Sequence, residues 1–125
     1  MNISQTKKDN IIELSISGRL DAVSAVEADK ILNTFVDAGN KIFFINLAAL
    51  DYISSAGLRV LLIVAKRVNP KSITSTPSKA NGEKVVLCSL SSNVKEIFEI
   101  SGFSSIFNVL ETSDEAIQYL KNIEE

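Results

Sequence analysis

The stretch Leu50-Asp51-Tyr52-Ile53-Ser54-Ser55-Ala56-Gly57-Leu58-Arg59-Val60-Leu61-Leu62 decides how the chain is read. Just upstream, Lys41 to Leu47 is the short apolar run K-I-F-F-I-N-L, with the length and character of a buried strand. Downstream, Leu58, Leu61, Leu62 and Ala65 recur at helical spacing, with Arg59, Lys66 and Arg67 as polar residues among them. Two adjacent hydroxyls and a glycine separate strand from helix. A hydroxyl at a helix start accepts from backbone N–H groups that have no partner within the helix. The same groups, with the positive end of the helix dipole, favour an anion. Ser54 and Ser55 are therefore either caps or hydroxyls able to carry a phosphate.

Working outward, strands and helices alternate after an initial hairpin. Ile3 to Lys7 and Asn10 to Ser17 read as two strands joined by a tight turn at Lys8-Asp9-Asn10. In the second strand Ile12, Leu14 and Ile16 alternate with Glu13, Ser15 and Ser17, which predicts one buried and one exposed face. Gly18-Arg19-Leu20-Asp21 then leaves the sheet. A helix is expected over about Val23 to Asp37, capped by Asp21 or Ser24, with Val23, Val26, Ile31, Leu32, Phe35 and Val36 as its apolar face. Gly39 suits the left-handed position that ends it.

The helix after the serine turn runs from about Ser55 to Val68 and stops at Asn69-Pro70. Lys71 to Glu83, K-S-I-T-S-T-P-S-K-A-N-G-E, has Ile73 as its only large apolar residue, so 69–83 is expected to be a mobile loop insertion. Lys84 to Leu90 reads as a buried strand, Ser91-Ser92-Asn93 as the cap of a helix over Val94 to Ser101, and Gly102 as its end. A last short strand lies near Ile106 to Val109. Thr112 or Ser113 caps a final helix, with Ala116, Ile117, Leu120 and Ile123 facing inward. The pattern predicts an α/β domain: a mixed, mainly parallel central sheet of about five strands with about four helices packed on it. In such sheets chemistry gathers where strands end and helices begin, as at the serine turn.

Composition narrows the function. At 125 residues the chain is one domain by size. A net charge of −2 and only isolated basic pairs, Lys7-Lys8 and Lys66-Arg67, argue against a nucleic-acid partner. No apolar run approaches the roughly 20 residues needed to span a bilayer, and the residues after Met1 are polar, so a cytoplasmic protein without a membrane partner is expected. The chain has no histidine, which excludes Ser-His-Asp and Cys-His catalysis. Cys88 is the only cysteine, so neither an intramolecular disulfide nor a Cys/His zinc site can form. It lies in Val85-Val86-Leu87-Cys88, where it reads as a small buried hydrophobe. No metal or cofactor is expected.

The run I-S-S-A-G-L-R-V-L closely resembles the signature of the STAS domain, the fold of bacterial anti-sigma-factor antagonists. Gly18-Arg19-Leu20-Asp21 matches a second family feature, a G-x-L-D turn before the first helix, and the resemblance spans residues 1–125 in element order. It implies phosphorylation at Ser55, two places before the glycine. Many members have Asp just before the acceptor where this chain has Ser54, which makes Ser54 the second candidate. Asp21 takes the acidic position near the acceptor. It can equally be the helix cap, and as a functional group it could bind the kinase's metal, orient the hydroxyl or repel the phosphate. Asp51 reads more readily as satisfying loop backbone groups than as an acid.

The implied function is a non-enzymatic switch. Unphosphorylated, the chain would bind an anti-sigma factor that is also a serine kinase and so free a sigma factor. Asp21, Ser54, Ser55, Ala56, Gly57 and Arg59 would form the partner-binding surface. A phosphatase of PP2C type would reset it, and ATP would belong to the kinase. The alternative is a nucleotide- or phospholigand-binding domain using the helix start at Ser55, although neither GxxxxGK[ST] nor GxGxxG is present. An aspartyl phosphoacceptor would have only Asn46 and Asp51 to offer.

Overall fold

Alternating apolar residues at the start of the chain build an antiparallel hairpin. Strand β1 (Asn2–Lys8) pairs with β2 (Ile11–Leu20), with Ile3 opposite Ile16 and Gln5 opposite Leu14. The computed structural model describes residues 1–8, 11–68 and 85–124; the centre of the expected turn, Asp9-Asn10, and the expected loop at 69–83 lie outside the described residues. Helix α1 (Ala22–Asp37) follows, then β3 (Phe43–Asn46), β4 (Leu50–Ile53) and α2 (Ser55–Val68). Strand β5 (Val85–Cys88) leads to α3 (Ser92–Ser101), a 3₁₀ turn at Phe103–Ser105, β6 (Val109–Leu110) and α4 (Ser113–Glu124).

The sheet order is β1-β2-β3-β5-β6, with β4 paired to the far end of β2. Among the described strands only β1 runs antiparallel to its neighbour. Phe43, Phe44 and Ile45, and likewise Val85 to Cys88, are buried on alternate sides, as parallel strands covered on both faces require. Phe43, Ile45, Val85 and Leu87 join the larger core with α1, α2 and α3, where Phe35 meets Phe43 edge-on at 4.8 Å between ring centres. Phe44, Val86 and Cys88 face α4 through Ala116 and Leu120, the inward residues expected for that helix. The side chain of Ile123 falls outside the described residues.

Three sequence expectations change here. The second face of β2 is not exposed. Ile11 is fully buried in the α4-side core, and Glu13 is half-buried, accepting from Asn46 Nδ2 at 2.8 Å. Helix α4 supplies the cover. Second, Gly18-Arg19-Leu20 does not leave the sheet. A break in register between Gly18 and Arg19 lets β2 run on and pair with β4, Arg19 beside Tyr52 and Leu20 beside Ile53. Gly18 takes a φ of +88°, which glycine adopts without strain, and its N–H donates to the Ala49 carbonyl at 3.0 Å. Third, of the expected apolar face α1 buries Leu32 and Phe35 and packs Val36 against the core, while Ala25 and Ala28 take the remaining inner positions. Val23 is 84% exposed and Val26 61% exposed. Small residues on the inner stripe let α1 lie close to α2, which turns the valines outward.

The far ends of α1 and α2 are joined by Arg67, which donates to Asp37 at 2.6 Å and to Asn33 Oδ1 at 2.7 Å. This pair is largely exposed, so its stabilisation is about 0–1 kcal/mol. Ser91 stands at the cap position of α3, but its hydroxyl does not cap. It donates to the Leu50 carbonyl at 2.6 Å and pins the start of α3 to β4. Gly102 ends α3 in the expected left-handed conformation, with φ +83°. Thr112 caps α4, accepting from the Glu115 N–H at 3.1 Å.

Candidate site at the paired helix starts

Because Leu20 and Ile53 are partners across β2 and β4, the helices that follow them begin side by side. The Leu20 carbonyl accepts the Ser54 N–H at 2.9 Å and so ties one helix start to the other. Asp21, one residue after Leu20, and Ser55, one after Ser54, are held in a fixed relation by this bond.

Ser54 is the cap of α2. Its hydroxyl accepts from the Gly57 N–H at 3.2 Å, and its carbonyl accepts the first helical bond, from the Leu58 N–H at 2.9 Å. Ser54 is half-buried. Ser55 opens the helix proper, is exposed, and its hydroxyl has no partner among the described residues. The two adjacent serines thus differ: one oxygen is occupied by the backbone and the other faces solvent.

Gly57 is required by packing. A Cβ there would come within 2.8 Å of the Ile53 side chain and 2.9 Å of the Leu20 carbonyl oxygen. Its φ is not in the left-handed region, so the cause is close approach rather than backbone conformation. The glycine lets the first turn of α2 rest directly on the ends of β2 and β4.

Asp21 is the cap of α1. Its Oδ1 accepts from the Val23 N–H at 3.1 Å and the Ser24 N–H at 3.0 Å. Ser24 completes a capping box, its oxygen accepting from the Asp21 N–H at 3.0 Å. The Ser24 proton lies within reach of the Arg19 carbonyl at 2.9 Å and of Asp21 Oδ1 at 3.1 Å. The Ser24 N–H, then the Ser24 hydroxyl, hold the Asp21 carboxyl below its ordinary value of 3.8, with Val23 and Arg19 adding to the effect against some burial. Asp21 Oδ2 has no partner among the described residues. Arg19 stacks over the Tyr52 ring at 4.4 Å and covers the paired strand ends.

Two apolar grooves flank the serine turn. One, of about 300 Å³, lies between α1 and α2 and includes Ala22, Val26, Ala56, Arg59 and Ile63. The other, of about 310 Å³, lies between β4, α2 and α3 and includes Tyr52, Ser55, Leu58, Ile97 and Ile100. A groove of about 320 Å³ between β1 and the end of α1 is remote from both serines. Arg19, Tyr52, Ser24 and the outward Val23, Val26 and Ile100 were not singled out as site residues from sequence. Only their clustering around the turn marks them, and that depends on the β2–β4 pairing.

Asp51 does not serve the loop backbone as expected. It is exposed on β4 with no side-chain hydrogen bond among the described residues, and Asn46 Oδ1 instead accepts the Ala48 N–H at 2.9 Å. Cys88 is fully buried, and burial pushes its thiol up from its ordinary range. Among the described residues no group of three or more metal-ligating side chains converges, and no helix is long and apolar enough to cross a membrane.

Residues 2–116 match the model of the STAS domain family. The chain belongs to the STAS domain family. It is similar to anti-sigma factor antagonists. Over 121 residues it is 37% identical to BtrV of Bordetella bronchiseptica, named as a candidate anti-sigma factor antagonist, covering 97% of this chain and 96% of that protein. Its fold is similar to that of an anti-sigma factor antagonist from Mycobacterium paratuberculosis, with a TM-score of 0.79 at 17% identity over 96% and 93% of the two chains. It is also similar to the phosphorylated form of SpoIIAA from Bacillus, with a TM-score of 0.64 at 16% identity over 94% and 97%.

Proposed function

We propose that this chain is a phosphorylation-switched, non-enzymatic binding module acting in the cytoplasm as an anti-sigma factor antagonist. Unphosphorylated, it binds an anti-sigma factor that is also a serine kinase, and a sigma factor is freed. The kinase transfers the γ-phosphoryl group of its ATP to Ser55 Oγ: the new O–P bond forms as the bond to the β-phosphate oxygen breaks, ADP leaves, and the hydroxyl proton passes to the kinase or solvent. A phosphatase of PP2C type restores the hydroxyl.

The observation that carries this reading is the division of labour between the serines. Ser55 offers an exposed hydroxyl without a partner among the described residues, while that of Ser54 is held by the Gly57 N–H. A phosphate on Ser55 adds about −1.5 to −2 charges at a helix start, where the dipole tolerates them, so the fold is expected to persist. A partner packed over the same turn would have to desolvate that charge, and release follows. Membership of the STAS family and similarity to the named antagonists support the choice of partner. Asp21, Ser54, Ala56, Gly57 and Arg59 complete the proposed surface around Ser55.

The test is to incubate the chain with its co-purifying kinase and ATP, and to map the phosphate by mass spectrometry. Phosphate on Ser55, lost in Ser55→Ala and kept in Ser54→Ala, is expected. Phosphate on Ser54 would shift the switch by one residue. Stable partner binding with neither serine modified would remove the switch.

A further inference from the structure

Arg59 stands four residues after Ser55 on α2, and both are exposed. Residues so spaced are neighbours on the helix surface, with about 5–6 Å between their Cβ atoms. A helical side chain leans toward the N-terminus, so the long stem of Arg59, which lines the groove between α1 and α2, can reach back over the turn that holds Ser55. An anion four residues before a cation is also the favourable order along the helix dipole.

Among the described residues nothing occupies Arg59 in a way that bars such a role. The ion pair seen among the described residues is that of Arg67 with Asp37, and Arg59 makes no hydrogen bond or ion pair there. Asp29 lines the same groove as Arg59, but its Oδ1 accepts from Asn33 Nδ2 at 2.8 Å. The nearby cation on the neighbouring strand, Arg19, lies over Tyr52. No acidic residue occupies the first turn of α2.

We infer that Arg59 is the internal counter-ion of a phosphate on Ser55. This rests on the reading of Ser55 as the acceptor. A guanidinium presents paired N–H donors that match phosphate oxygens, where a lysine offers only a point charge. Phosphorylation then changes the surface twice: it adds an anion at Ser55 and engages the Arg59 cation, which has no ion pair among the described residues of the unmodified chain.

The test does not need the kinase. Phosphoserine is placed at position 55 of the full chain during translation, and its second ionisation is followed by phosphorus NMR in the native background and in Arg59→Gln and Arg59→Lys. The other charged groups on the elements around the turn are the same in all three proteins: Glu13 and Arg19 on β2, Asp21 at the cap of α1 with Glu27, Asp29, Lys30 and Asp37 on that helix, Asp51 on β4, Lys66 and Arg67 on α2, and Lys95, Glu96 and Glu99 on α3. The native phosphate is expected to ionise at lower pH than in Arg59→Gln, by roughly half a unit, with the gap narrowing as salt rises. Arg59→Lys should fall between them. Equal titration in all three proteins would overturn the inference. Failure of Ser55 to accept phosphate from the kinase is a separate result that would defeat the proposed function and leave this titration unchanged.

Discussion

Helices α1 and α2 start side by side, yet they use their serines in opposite ways. At α1 the cap is Asp21, and Ser24 is bound on every side: by the Asp21 N–H, by the Arg19 carbonyl and through its own N–H to the carboxylate. At α2 the cap is Ser54, and the neighbouring Ser55 hydroxyl is left without a partner among the described residues. Both serines sit in first turns on the same end of the sheet. What separates them is which residue already satisfies the orphan N–H groups. An extra hydroxyl beside a cap that has done that work is available for chemistry, whereas one built into a capping box is structural.

The contrast can be broken most forcefully at Ser55. If the turn is the partner surface, Ser55→Asp puts a carboxylate into the interface that must be desolvated there and draws Arg59 away from the partner. Binding should weaken by about 3 kcal/mol, roughly a hundredfold, with Ser55→Ala binding like the native chain. Calorimetry with the purified partner measures this, and equal affinities for both variants would separate Ser55 from the interface.

Next in size is the packing beneath the turn. Gly57→Ala forces a methyl group against the Leu20 carbonyl and the Ile53 side chain. A loss of about 1–3 kcal/mol in chemical denaturation is expected. No loss would mean that the helix start shifts freely, and that Ser54 and Ser55 are not held in place.

A matched pair of smaller changes bears directly on the two serines. Ser24→Ala removes a hydroxyl with backbone partners and should cost about 1 kcal/mol. Ser55→Ala should stay within about 0.5 kcal/mol of the native chain. Equal losses would show that Ser55 has a structural partner after all.

A small effect on stability is also expected at Asp21. Asn caps nearly as well as Asp, so Asp21→Asn should lower stability only slightly. Because folding depresses this carboxyl, its charge contributes stability above pH 3.8, and that contribution is lost as the pH falls through the lower folded-state value. The native chain and the Asp21→Asn variant should therefore converge in stability at acidic pH. If Asp21 also positions the acceptor hydroxyl, phosphoryl transfer to the Asp21→Asn variant slows by more than the stability change explains. A transfer rate unaffected by the substitution would leave Asp21 as a cap alone.

Much of this was legible in the chain because periodicity and punctuation agreed. The alternation of strands and helices, the helix from Ser55 to Val68 and the stop at Gly102 all follow from local residue chemistry. Strand β4 was not legible. Four residues with two polar or half-buried positions give little period, and their partner is the tail of β2 beyond a bulge. The first half of the inward face of α1 was misread for a related reason, while Leu32 and Phe35 lie buried as expected. Bulk favoured Val23 and Val26, but close packing against another helix selected Ala25 and Ala28. Tertiary fit, not hydrophobicity, chose the stripe. At the site, the serines and Asp21 could be named from motif spacing, but which serine caps depends on one bond to the Gly57 N–H.

The bond from the Ser54 N–H to the Leu20 carbonyl also bears on time. A turn already fixed to the sheet has little conformational freedom left to lose when a partner closes over it. Encounter then requires orientation alone, at about 10⁵–10⁷ M⁻¹ s⁻¹ for ordinary protein pairs, and differences between related complexes appear mainly in dissociation. On the proposed reading, modification of Ser55 would act chiefly on residence time. The partner would meet the same rigid surface about as often, and stay on it far more briefly.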